Sequence, residues 1–210
     1  MTEAVDYFDI RKTYESFNSS LLEDEDIDIG FYLEAYKELC KFCGFLGPVF
    51  SFVKNEIVSK SEIMHQLRNN CQDDHFETVK KMIEYENESQ LLHKKNYVSG
   101  CRTFLRLHRG LDFIRTFLRR IGETDLDSET SAIGYDSYSN TLGKYHGWCI
   151  QQAAYVGMKF LPKKKNLVSK VCGSNWEEIG NILPLMLNAA DEVYNRTEQC
   201  YRTNGLLDLP

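Results

Sequence analysis

The chain has 210 residues, enough for one domain with a sizeable core, and only 4 prolines and 13 glycines, which argues against a turn-rich β protein. Its formal net charge of −6 excludes general affinity for nucleic acid, which needs an excess of Lys and Arg, but leaves room for a small cationic pocket. The start MTEAVDYFDIRKTYESF carries no basic segment followed by an apolar run, and no apolar stretch approaches the roughly 20 residues that span a bilayer. A single cytosolic domain over 1–210 is expected.

Taken in order, a first helix leads into the acidic stretch Glu23–Asp26, read as a solvated loop. A second helix begins near Phe31 and is interrupted by GFLGP, with Pro48 suited to the first turn of the next. Within that second helix, Cys40 and Cys43 form a CxxC. No second CxxC or His pair accompanies it, so the two read as small hydrophobes on a helix face. Seven scattered cysteines form no disulfide framework.

Further breaks fall at Asn69-Asn70, Tyr97 to Gly100, Glu123 to Glu129 and Leu161-Pro162. Between them the apolar period is helical: Phe104, Leu107, Leu111, Ile114, Leu118 and Ile121 recur at three- and four-residue steps. Tyr138, Leu142, Tyr145, Cys149, Ala153, Val156 and Phe160 do the same. The class is all-α. The run Lys163, Lys164, Lys165 is either a solvated face or a contact with a membrane surface.

Two helices carry charge where apolar residues are expected. Leu46, Val49, Val53, Ile57, Lys60, Met64 and Leu67 form one stripe with a lysine in its middle, and Glu56 lies one turn before it. An i,i+4 pair with a snorkelling lysine would explain this. In the helix that follows Gly100, one face carries Arg102, Arg106 and Arg109, then Phe113 and Phe117. His108, Asp112, Arg115 and Arg119 cluster on another side and read as solvated. A face that is cationic at one end and aromatic at the other suits an amphiphile. It equally suits a surface helix with its aromatic end in the core. If these cations converge, an anion is favoured: Arg offers a fork for phosphate oxygens and Lys a point charge.

GPVFSFVKNEIVSKSEIMHQL, SGCRTFLRLHRGLDFIRTFL, YHGW and GLLDLP resemble the glycolipid transfer protein superfamily in order and spacing, from about Phe31 to Pro210. The resemblance implies a two-layer helical sandwich of about eight helices that encloses a lipid pocket, and a carrier with no cofactor, metal or catalytic residue. It places the headgroup site on Glu56, Lys60, Arg102, Arg106 and His146, and puts Trp148 at the portal, in contact with the membrane interface. The bland alternative for Trp148 is core packing. Sugar-binding relatives have tryptophan at the place of Arg106 and asparagine at that of Lys60. The two cations therefore imply a phosphorylated sphingolipid, ceramide-1-phosphate first. Glu56 departs from the usual aspartate, which accepts from the sphingoid amide and hydroxyl. His146 is expected to donate to the ceramide amide oxygen.

Two other functions stay open. One is a neutral glycosphingolipid carrier; the other is a sphingolipid sensor or adaptor acting through a protein partner. Glu56 and His146 could serve an enzyme as base and acid, but no G-x-S-x-G motif or metal-ligand cluster accompanies them. A monomer touching the membrane only transiently is expected, because a carrier needs its portal free.

Overall fold

The computed structural model describes residues 7–47, 50–71, 73–172 and 176–210. Pro48 and Val49, assigned above to a helix start and a stripe, lie outside this set, as do the first six residues. The described residues form nine α-helices: α1 (Ile10–Ser20), α2 (Ile29–Phe45), α3 (Ser51–Asn70), α4 (Val79–Glu88), α5 (Gly100–Gly122), α6 (Ser131–Asn140), α7 (Trp148–Met158), α8 (Lys164–Cys172) and α9 (Trp176–Thr203). A 3-10 turn, Leu142–Tyr145, links α6 to α7. Among the described residues extended pairing is confined to two isolated bridges, Leu21 with Ile27 and Asp28 with Thr78.

Short polar side chains set the helix starts. Asp9, Asp28, Thr78 and Ser99 accept from the peptide N–H three residues on, at the heads of α1, α2, α4 and α5. The expected breaks at Asn69-Asn70, Tyr97 to Gly100, Glu123 to Glu129 and Leu161-Pro162 fall at or between helix ends. The acidic stretch departs from expectation at one residue. Asp26 is buried, because its carboxylate accepts from the Ile27 and Lys80 peptide N–H groups and ties the loop to α4.

In one layer α1 packs on α2 and α2 on α3; in the other α9 packs on α5 and α5 on α6. Contacts of α1 with α9 and of α3 with α5 close the two edges. Aromatic residues fill the space between the layers. Tyr32 of α2 packs on Phe104 of α5 at 4.5 Å between ring centroids, and the Tyr36 hydroxyl donates to the Leu107 carbonyl. Tyr201 of α9 donates to the Cys101 carbonyl at 2.9 Å. Cys40 and Cys43 are both buried on α2, and burial pushes the Cys43 thiol up to about 12. Both behave as core residues.

Two sequence readings are corrected. His108 is buried and Arg115 and Arg119 are paired, since all three face α9. His108 Nε2 meets Glu198 at 2.9 Å and its ring stacks on Tyr194, while Arg115 bridges Asp112 and Asp191. The run from Tyr138 to Phe160 is not one helix: it crosses the break between α6 and α7, and its later stripe positions Cys149, Ala153, Val156 and Phe160 are exposed.

Candidate headgroup site

The candidate site lies where α3 meets the start of α5. Arg102 and Arg106 are four residues apart on α5 and so share a face. Lys60 approaches them from α3. Its side chain is only 15% exposed, and its Nζ lies 3.4 Å from Glu56 Oε2. Lys60, Arg102 and Arg106 line one open recess of about 180 Å³, together with Ile63, Tyr97, Val98, Ser99 and Thr103. Three of the five expected headgroup residues thus converge.

Arg102 is held in place from behind. Its guanidinium donates to the Leu92 carbonyl at 3.1 Å and the Tyr97 carbonyl at 2.7 Å. Both acceptors lie in the connection between α4 and α5, which turns through positive φ at Gln90 and Asn96. Two of the five guanidinium N–H groups are spent there, and the rest are left for an anion. Arg106, one turn on, is exposed at the recess.

Glu56 joins this group through Lys60, although its side chain is 54% exposed and does not line the recess. His146 also stands outside the recess lining. It caps the 3-10 turn in extended backbone rather than lying on a helix. Its Nδ1 is 2.7 Å from the Tyr138 hydroxyl, and Gln151 of α7 donates to the carbonyls of Gly143 and His146, both at 2.9 Å, which pins the turn. Burial lowers the His146 pKa, against an opposing pull from Glu56, so the neutral ring is favoured.

Arg109, grouped above with the other two arginines, has a different task. Its guanidinium lies 4.1 Å from the Tyr145 ring centroid and donates to the Leu207 and Leu209 carbonyls at 2.7 and 3.0 Å. It lines a separate cavity of about 10 Å³, room for no more than about one water.

Trp148 opens α7 and is 71% exposed, so core packing is ruled out for it. Tyr145, Ile150, Val156 and Phe160 are also exposed. Within the lysine run Lys163 and Lys165 are exposed, Lys163 pairing with the exposed Glu129 at 3.0 Å, while the half-buried Lys164 donates to the Gly122 and Thr124 carbonyls.

Sequence reasoning missed Tyr97 and Val98, which line the recess, and Tyr138, which meets His146. Tyr97 and Val98 fall in a helix break, where no period marks a face. Tyr138 reads as one more apolar position of a stripe. From His146 a row of rings runs inward through Tyr138, Phe113, Phe117 and Phe42 to Phe8, with centroid spacings of 5.7, 6.2, 5.7, 6.4 and 5.7 Å.

A two-layer helical sandwich with cations gathered at one edge of an aromatic interior defines a class of all-helical folds with a polar head site and an apolar middle. The chain belongs to the glycolipid transfer protein family, whose model matches residues 27–173. It is similar to the ceramide-1-phosphate transfer protein of Bos taurus, with 34% identity over 207 residues and 97% of each chain covered. The crystal structure of the mouse ceramide-1-phosphate transfer protein in its apo form superimposes with a TM-score of 0.91 at 32% identity, over 97% of this chain and 100% of that one. The human protein in complex with 12:0 ceramide-1-phosphate gives 0.88 at 32% identity, with the same coverage.

Proposed function

We propose that this protein carries ceramide-1-phosphate between membranes, without vesicles and without chemistry on the lipid. The observation that carries the reading is the convergence of Lys60, Arg102 and Arg106 on one recess, in a chain whose net charge is −6. Clustered cations resist burial unless an anion joins them, and a phosphate monoester supplies both charge and oxygens for the guanidinium forks. The names of the relatives and the lipid held in the human complex support the same ligand.

Glu56 would leave Lys60 to the phosphate and accept from the sphingoid amide and hydroxyl. With the Tyr138 hydroxyl as donor to His146 Nδ1 across their 2.7 Å contact, the neutral ring would carry its proton on Nε2 and could donate to the amide oxygen. The lipid chains would part the aromatic row between the layers. Trp148 and its exposed neighbours on α7 would dip into the membrane interface, where an indole is favoured. The protein would work from the cytosol as a monomer.

The test is transfer of fluorescent ceramide-1-phosphate between vesicles, compared with galactosylceramide and phosphatidic acid of matched chains. Transfer of ceramide-1-phosphate alone is expected. Transfer of galactosylceramide in its place would overturn the role of Arg106, and equal transfer of phosphatidic acid would overturn that of Glu56.

A further inference from the structure

Glu86 ends the buried face of α4 and is 0% exposed, yet it does not line the recess. A buried carboxylate is tolerated only where its oxygens are bonded. Here they accept from the Tyr97 hydroxyl at 3.1 Å, the Ser99 hydroxyl, and the Gly100 and Cys101 peptide N–H groups at 2.5 and 3.3 Å. The two peptide groups are first-turn donors of α5, which the helix itself leaves unpaired. Ser99 in turn caps the Arg102 N–H at 3.1 Å. The packing is tight: a Cβ on Gly100 would meet Phe76 at 2.8 Å and Met82 at 2.9 Å.

Tyr97 faces both ways. Its hydroxyl is held by Glu86, and its carbonyl holds the Arg102 guanidinium. The carboxylate therefore fixes the start of the helix that carries the arginine and also fixes one of the two acceptors that aim its side chain.

We propose that Glu86 is a positioning residue for phosphate recognition, acting on Arg102 through Tyr97. This rests on the reading that Arg102 binds the lipid phosphate. Orientation matters here because a guanidinium binds phosphate as a planar fork, and an arginine free to rotate loses that pairing.

Glu86→Ala would strip α5 of its starting bonds and endanger folding, so the decisive variant is Tyr97→Phe, which removes only the hydroxyl. Affinities of the whole chain for short-chain ceramide-1-phosphate and for ceramide of the same chains would be measured, with the melting temperature alongside. Tyr97→Phe is expected to weaken ceramide-1-phosphate binding about tenfold, the effect of one charge-assisted bond, and to leave ceramide binding within about twofold. In an Arg102→Leu background it should add nothing further.

Equal weakening for both lipids, or full additivity with Arg102→Leu, would reduce the link to general structure and overturn the proposal. So would unchanged selectivity in Tyr97→Phe beside a selective wild type, with the headgroup reading left standing. A wild-type chain that binds both lipids equally would overturn the headgroup reading, and the role of Glu86 with it.

Discussion

Under the proposed function Arg106 is the residue on which ligand class turns, and it is exposed at the recess. Arg106→Leu should leave the melting temperature nearly unchanged, as surface changes are usually within about 0.5 kcal/mol. It should also lose one charge-assisted bond to phosphate, roughly 1.5–3 kcal/mol, or a tenfold to hundredfold drop in ceramide-1-phosphate transfer. A vesicle assay beside a thermal melt separates the two effects. Transfer at the wild-type rate would remove Arg106 from the site. That Lys60 and Arg102 share one recess was foreshadowed in the sequence for a general reason: a cation that recurs on a face of grease needs an explanation. The same rule misfired at Arg109, whose partners Leu207 and Leu209 lie about a hundred residues further along the chain. No local pattern announces a carbonyl acceptor so distant.

Among the elements, α5 was the most legible, because its apolar stripe is long and its start, capped by Ser99, falls within the break expected from Tyr97 to Gly100. Its second polar face was misread as solvated, since charge alone does not reveal the acids of α9 waiting opposite. That interface gives the helix pair a pH dependence. Burial lowers the His108 pKa below 6.5, outweighing the pull of Glu198 and Asp112, while Arg115 acts in the same direction as burial. The folded state thus holds His108 neutral, and stability is lost as pH falls from about 6.5 toward the lower folded value. Glu198 follows: His108 and Arg202 lower its pKa below 4.5, so its contribution is lost only in stronger acid. The melting temperature should therefore fall between pH 7 and pH 5, and His108→Gln, which keeps a donor toward Glu198, should flatten that fall. An equally steep fall in the variant would assign the pH dependence elsewhere. The α6–α7 region was the least legible element. Its apolar period was correctly seen, but periodicity marks a greasy face without saying what covers it. The chain breaks between Asn140 and Trp148, so the period continues across two helices with different surroundings.

For the molecule as a whole, the two lipid chains gain about 0.8 kcal/mol per methylene on leaving water, on the order of 20 kcal/mol together. The bilayer gives nearly the same gain, so uptake and release are close to balanced, and headgroup contacts decide which lipid is carried. What remains is the route, since a lipid crossing open water would forfeit that whole gain. Only Gly147 separates His146 from Trp148, and the exposed apolar run continues to Phe160 at 69% exposure. A membrane covering this face would let the head reach its site while the chains pass from bilayer to protein. Replacing Trp148 with Ala and Phe160 with Ser should therefore slow transfer between vesicles and weaken vesicle association severalfold. Affinity for a short-chain ceramide-1-phosphate already in solution should stay unchanged, because neither residue lines the head recess. Loss of soluble-lipid binding would make these residues part of the pocket, and undiminished transfer would place the membrane contact on another face.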